Sequence, residues 1–164
     1  MDVSQEELEH LSTRLGQALL RRGWRLACAE SCTGGWASQA MTAVAGSSDW
    51  FERGFVTYSN DAKQDLLEVG GHTLAAFGAV STETAREMAE GALRHSRAQC
   101  AFAITGIAGP SGGSPDKPVG TVCFAWARNG EFTEVGREHF IGDRRQVRAQ
   151  SVRHALGRML ALVT

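Results

Sequence analysis

Two residues of this chain, Ser31 and Lys63, have the side chains of a nucleophile and its base. A serine hydroxyl is a poor nucleophile until a neighbouring base takes its proton. Histidine usually does this, but no histidine lies in the polar segments near Ser31 or Lys63. Lysine can replace histidine where burial or nearby positive potential lowers its pKa. Lys63 lies early in a predicted helix, where the helix dipole disfavours a cation. We therefore expect Ser31 to attack and Lys63 to accept its proton.

Ordinary structural roles are open for the same residues. Ser31 and Thr33 precede a helix and are both suitable N-cap residues. Lys63 has the alternative of a solvated surface position. Tyr58, the only tyrosine, either relays a proton and orients Lys63 or serves as a strand aromatic. Cys32 is an alternative nucleophile, although its apolar surroundings favour a structural thiol.

Strands that alternate with helices must position these residues. Hydrophobic periodicity and turn signals predict the following order: a helix from Ser4 to Gly23, a strand over 24–29, a helix from Trp36, a strand over 54–59, helices capped by Asn60 and Ser81, a strand over 100–104, a hairpin of 119–127 and 131–140 about Asn129-Gly130, and a last helix from Asp143. This order predicts a three-layer α/β/α sandwich with a mixed, mostly parallel central sheet.

Three polar or glycine-rich segments follow predicted strands, at residues 31–35, 58–63 and 105–117. Ligands of open α/β sheets bind beyond the carboxyl ends of the strands, so we expect these segments to meet in one site. Unpaired amides at the start of the helix after Ser31 would stabilise an oxyanion or hold a phosphate. The chain has neither a Walker A motif nor a Gly-x-Gly-x-x-Gly fingerprint, which argues against a nucleoside triphosphatase or a dinucleotide-binding protein.

Arginines cluster at the start of the last helix, at Arg144, Arg145, Arg148 and Arg153. Cations there oppose the helix dipole, whereas arginine pairs well with phosphate. A solvated helix face is the alternative for some of them. The formal net charge of the whole chain is only −1, which argues against binding to nucleic acid by bulk charge.

Four cysteines form no Cys-x-x-Cys pair, and the N-terminus is acidic rather than a signal peptide. We expect reduced thiols, no metal, no membrane segment and a cytoplasmic protein. Apolar faces on the first and last helices would allow a homodimer.

Four ordered motifs resemble the CinA C-terminal domain family. They are AESCTGG at 29–35, Tyr-Ser-Asn at 58–60 followed by Lys63, TGIAGP at 105–110, and KPVGTV at 117–122. The similarity runs through nearly the whole chain, so we expect a single domain over residues 1–164. The resemblance implies an α/β/α sandwich without a cofactor. It also implies a reaction, because stand-alone members convert nicotinamide mononucleotide and water to nicotinate mononucleotide and ammonia.

The resemblance also implies roles for individual residues. Ser31 is the expected nucleophile, with Lys63 and Tyr58 as its catalytic partners. Contacts to a small nucleotide substrate are expected from Thr33, Gly34, Gly35, Asn60, Thr105, Gly106 and Arg145. Two other functions remain open: a non-catalytic module that binds a nucleotide or phosphate, and an amidase for another small amide.

Overall fold

The computed structural model describes residues 2–164 and contains six α-helices and five β-strands. In chain order they are α1 (Gln5–Arg22), β1 (Leu26–Glu30), α2 (Trp36–Thr42), β2 (Phe51–Val56), α3 (Asn60–Leu67), α4 (Gly71–Phe77), α5 (Thr82–Arg94), β3 (Cys100–Gly106), β4 (Thr121–Arg128), β5 (Glu134–His139) and α6 (Arg144–Val163), with one 3₁₀ turn (Ser47–Asp49) before β2.

The strands form one sheet in the order β2-β1-β3-β4-β5. β1 pairs in parallel with β2 and with β3, whereas β4 is antiparallel to both of its neighbours. Four strands therefore share one direction, which confirms the mixed, mostly parallel sheet. The chain leaves β1 towards β2 on one side and returns to β3 on the other. This arrangement is a topological switch point, at which open α/β sheets bind ligands.

Helices cover both faces of the sheet, as the α/β/α prediction requires. α1, α2 and α6 pack against one face through the larger of two buried apolar clusters. α3, α4 and α5 pack against the other face, where most of the strand residues are alanine. Small side chains there let α5 lie close to the strands. No helix within residues 2–164 has the length and apolar character needed to cross a bilayer.

Several predicted boundaries were wrong by a few residues. The second strand is β2 (Phe51–Val56), which begins and ends before the predicted range 54–59. β2 lies at the edge of the sheet and pairs with one neighbour only. Charged residues such as Glu52 and Arg53 are common in edge strands. Ser59, not Asn60, is the N-cap of α3, because its hydroxyl accepts the amide of Ala62 at 3.0 Å. The predicted turn at Asn129-Gly130 forms, but pairing with β4 resumes only at Glu134.

Helix α4 (Gly71–Phe77) is absent from the predicted order of elements. Two glycines open this short helix, and glycine disfavours helical backbone. A distant carboxylate compensates, because Glu87 on α5 accepts the Gly70 amide at 2.8 Å and the Thr73 hydroxyl at 2.6 Å. The helix therefore depends on a tertiary contact that local sequence cannot reveal.

Candidate active site

Ser31 and Lys63 lie in direct contact at the carboxyl edge of the sheet. Ser31 follows the last residue of β1, and its amide donates to the Ile104 carbonyl of β3 at 2.9 Å. Lys63 lies on α3, and its Nζ is 3.1 Å from Ser31 Oγ. This separation is within the hydrogen-bonding reach expected of a nucleophile and its base.

Burial gives Lys63 the properties of a base. Its side chain is only 1% exposed, and within residues 2–164 no carboxylate forms an ion pair with it. Burial lowers the pKa of Lys63 from its ordinary value, because an unpaired cation is costly away from water. Nζ also donates to the carbonyls of Thr57 at 3.1 Å and Tyr58 at 3.4 Å.

These contacts fit both protonation states of Lys63. A neutral amine has two N–H groups, which match the two carbonyls, and one lone pair, which matches the Ser31 hydroxyl. An ammonium ion would donate to all three oxygens. Deprotonation therefore requires only that the hydrogen bond between Lys63 and Ser31 reverse its direction.

Ser31 is not the cap of α2. Its Oγ accepts from Lys63 and lies 3.5 Å from the Tyr58 carbonyl. The N-cap residue is Gly35, and the amides at this helix start donate instead to Glu30, a fully buried carboxylate at the end of β1. Glu30 accepts the amides of Ala37 and Ser38 at 2.9 Å each and the Thr33 hydroxyl at 2.7 Å. The capping role proposed for Ser31 and Thr33 was therefore wrong, and the Ser31 hydroxyl is available for chemistry.

Glycines shape the turn that carries Ser31. Gly34 and Gly35 have φ values of 60° and 107°, a region that side chains with a Cβ rarely adopt. Their amides donate to the Ser31 carbonyl and to Glu30. The amides of Gly34 and Gly35 are therefore paired within the turn and are not free to bind an oxyanion or a phosphate. In the described part of the chain, the turn amides without a protein acceptor are those of Cys32 and Thr33.

Cys32 does not fit the role of nucleophile. Burial raises the pKa of its thiol to about 12, and the thiolate is the reactive form of cysteine. The thiol is therefore protonated near neutral pH. The hydroxyl of Ser31 is the better nucleophile, because it alone contacts a base.

A cavity of about 230 Å³ opens above Ser31 and Lys63. All three predicted strand-end segments contribute to its wall, together with α6: Ser31, Lys63, Asn60, Thr105, Gly106 and Arg144 line it among others. The Thr105 hydroxyl donates to the Ala79 carbonyl at 2.8 Å, so this side chain also fixes the cavity wall. At Gly106 a Cβ would lie 2.8 Å from Val122, which explains why glycine is needed there.

Tyr58 contributes to the site in two ways. Its backbone carbonyl accepts from Lys63, and its phenolic oxygen accepts from Arg144 at 3.3 Å. The ring is 62% exposed and also lines the cavity. The phenol therefore lies with Arg144 at the cavity wall rather than in hydrogen-bonding contact with Lys63.

The arginine of α6 that lines the cavity is Arg144 rather than the predicted Arg145. Arg144, which we did not select, lines the cavity and donates to the Gly109 carbonyl at 2.7 Å. Arg145, which we did select, does not line it; its guanidinium lies 5.4 Å from the centre of the Trp36 ring. Arg148 donates to the Cys32 carbonyl at 3.1 Å. Arg148 does not line the cavity, so the spacing of the arginines along α6 does not by itself identify Arg144.

A larger groove of about 670 Å³ lies beside the start of α1. Glu6, Glu7, Glu9 and His10 contribute to its lining. This acidic groove contains neither Ser31 nor Lys63. The cavity above these two residues is therefore the better candidate for chemistry.

Known proteins resemble this chain in both sequence and structure. The chain is 53% identical over 154 residues, which cover 94% of it and 93% of the relative, to the nicotinamide-nucleotide amidohydrolase PncC of Escherichia coli K12. It is 49% identical over 154 residues to the protein of that name from Pseudomonas putida, covering 94% and 96% of the two chains. The crystal structure of the competence/damage inducible protein CihA from Agrobacterium tumefaciens superposes with a TM-score of 0.94 at 44% identity, covering 100% and 99%.

By its fold and these full-length relatives, the chain is an amidohydrolase built on an α/β/α sandwich. The model of the CinA C-terminal domain matches residues 8–163. The chain belongs to the CinA C-terminal domain family.

Proposed function

We propose that this enzyme hydrolyses the carboxamide of nicotinamide mononucleotide, giving nicotinate mononucleotide and ammonia, with Ser31 as nucleophile and Lys63 as base. The observation that carries the mechanism is the 3.1 Å contact between Ser31 Oγ and the buried Lys63 Nζ. The substrate follows from relatives about half identical to this chain that are named nicotinamide-nucleotide amidohydrolases.

The first half of the reaction forms an ester. Neutral Lys63 takes the hydroxyl proton as Ser31 Oγ bonds to the carboxamide carbon. The free amides of Cys32 and Thr33 are the donors proposed to stabilise the resulting oxyanion, each worth about 3 kcal/mol in a site without water. The carbon–nitrogen bond then breaks, the protonated lysine gives its proton to the leaving nitrogen, and ammonia departs.

The second half of the reaction returns the enzyme. Lys63, neutral again, takes a proton from a water molecule that attacks the ester carbon. The carbon–oxygen bond to Ser31 breaks, and the Ser31 oxygen regains its proton from Lys63. This sequence needs no metal or organic cofactor, because the buried amine does all of the proton transfer.

Arg144 is the residue we propose for binding the phosphate. Its guanidinium lies at the cavity wall between the Gly109 carbonyl and the Tyr58 phenol, and a guanidinium pairs well with phosphate oxygens. Asn60 and Gly106 also line the cavity and are proposed to contact the ribose. Arg145, Gly34 and Gly35 are not part of this proposal, because their positions give them other contacts.

A substrate panel tests the proposal. Purified enzyme is incubated with nicotinamide mononucleotide, free nicotinamide and unrelated small amides, and ammonia is measured against Lys63→Met as the control. We expect release from the mononucleotide alone, and only with Lys63 present. Release from another amide instead would make the chain an amidase of different specificity. Binding of the mononucleotide without ammonia would make it a non-catalytic nucleotide-binding module.

We also propose that the enzyme is cytoplasmic. All four cysteines are free thiols, as is usual for proteins of reducing compartments. The homodimer stays a prediction, which sedimentation of the purified chain would test.

A further inference from the structure

In the turn after Ser31, the backbone amides and the backbone carbonyls have different hydrogen-bond partners. The amides of Cys32 and Thr33 have no acceptor among the residues that the structure describes. Arg148 donates from Nε to the Cys32 carbonyl, which is the other end of the Thr33 amide's peptide group, and from Nη2 to the Thr33 carbonyl, both at 3.1 Å. The peptide group of the Cys32 amide ends instead in the Ser31 carbonyl, which accepts the Gly34 amide.

These contacts have an electrostatic consequence. The Cys32 carbonyl and the Thr33 amide belong to the same peptide group, so a cation at the carbonyl polarises the N–H at the other end. A charge-assisted hydrogen bond is stronger than a neutral one. Arg148 therefore makes the Thr33 amide a better donor to developing negative charge.

Arg148 is itself held in place. Its guanidinium lies 5.3 Å from the centre of the Trp36 ring, within the range of a cation–π contact. On the other side of the turn, Glu30 accepts the Thr33 hydroxyl and the Gly35 amide. The turn is thus fixed from both sides, by an anion at its hydroxyl and amide groups and by a cation at its carbonyls.

We propose that Arg148 is a positioning residue, which orients and polarises the peptide group between Cys32 and Thr33 so that its Thr33 amide binds the oxyanion. This inference rests on the proposed attack by Ser31. Arg148 does not line the cavity above Ser31, and two of its N–H groups already donate to the turn. It acts on the reaction through the backbone and makes no contact with the substrate.

Two readouts test the proposal. The first is kcat and KM for ammonia release, and the second is the rate of covalent labelling of Ser31 by a small fluorophosphonate, which needs the nucleophile and the oxyanion donors but no nucleotide. The variants are Arg148→Lys, which keeps the charge but loses the planar fork, and Arg148→Ala. Arg153→Ala is the matched control, because Arg153 lies on the same helix and pairs only with the exposed Glu7.

We expect Arg148→Ala to lower kcat and the labelling rate by about 10²-fold, with KM changed less than threefold. Arg148→Lys should lose about tenfold, because lysine cannot donate to both carbonyls in the same geometry. Added ethylguanidinium should restore part of the activity of Arg148→Ala, and Arg153→Ala should resemble the wild type. Restoration by the missing functional group would not be expected of a residue that serves folding alone.

Three results would overturn the role of Arg148. One is a kcat within threefold of wild type in Arg148→Ala, even if its melting temperature falls. A second is a higher KM with unchanged kcat, which would make Arg148 a substrate-binding residue. The third is wild-type enzyme that releases ammonia but is not labelled at Ser31. If wild-type enzyme is labelled but does not act on nicotinamide mononucleotide, only the proposed substrate fails, and the labelling rates still decide the role of Arg148.

Discussion

Replacing Glu30 with glutamine would keep the shape of this buried side chain and remove its charge. The carboxylate accepts six hydrogen bonds, three at Oε1 and three at Oε2, one of the latter from the Cys28 thiol. Glutamine has one acceptor oxygen, so its NH₂ group would face donors that now point at a carboxylate oxygen. If the oxygen takes the place of Oε1, the Ser38 amide loses its acceptor, while the Ser38 hydroxyl can rotate to accept.

The cost follows from these contacts. One unpaired amide away from water costs about 1–3 kcal/mol, and loss of the charge weakens the remaining hydrogen bonds by about 1 kcal/mol in total. We therefore expect Glu30→Gln to lower the free energy of unfolding by about 2–4 kcal/mol. Because Glu30 orders the turn that carries Ser31, kcat should fall as well.

Urea unfolding followed by circular dichroism would measure the change. Glu131→Gln is the matched control, because Glu131 is exposed in the loop between β4 and β5. Its effect should be within about 0.5 kcal/mol of zero. A Glu30→Gln protein as stable as that control would refute the argument that the carboxylate holds the turn.

Three further predictions concern the base, the phosphate and the packing of α5. Because burial lowers the pKa of Lys63 below its ordinary value of 10.5, kcat/KM should rise with pH through that lowered pKa. Between the lowered pKa of folded Lys63 and 10.5 the unfolded chain binds more protons than the folded chain, so the free energy of unfolding should also rise with pH there. A kcat/KM that does not rise with pH would contradict the role of Lys63 as the base. Arg144→Gln should raise KM for the mononucleotide about 10–100-fold with a smaller effect on kcat, and an unchanged KM would exclude Arg144 from phosphate binding. At Gly91 a Cβ would overlap the Leu67 carbonyl, so Gly91→Ala should destabilise by about 1–3 kcal/mol. Gly157→Ala, on an open helix face, should be neutral or stabilising by up to about 1 kcal/mol; equal unfolding free energies for the two variants would contradict the packing.

Much of the fold could be predicted because its signals are local. The helical spacing of Leu8, Leu15 and Leu19 and the apolar run at 100–104 reflect burial directly, and alternating elements then imply a layered sheet. The convergence of Ser31 and Lys63 also followed from the sequence, since both lie after strands that turned out to be parallel neighbours. A parallel sheet brings such strand ends to one edge.

The remaining features depend on contacts between distant residues. The sequence does not show that Glu30 accepts the amides at the start of α2, because a carboxylate after a strand is more often solvated. The choice between Arg144 and Arg145 could not be made from the sequence for a related reason. Proximity to the helix start does not determine which face of the helix meets the cavity.

The most direct test of the account is the rate of ammonia release by Ser31→Ala, measured together with its affinity for nicotinamide mononucleotide by calorimetry. We predict that kcat falls about 10⁴-fold or more, while the dissociation constant stays within a few fold of the wild-type value. A Ser31→Ala enzyme that binds the mononucleotide and releases ammonia within tenfold of the wild-type rate would contradict the account.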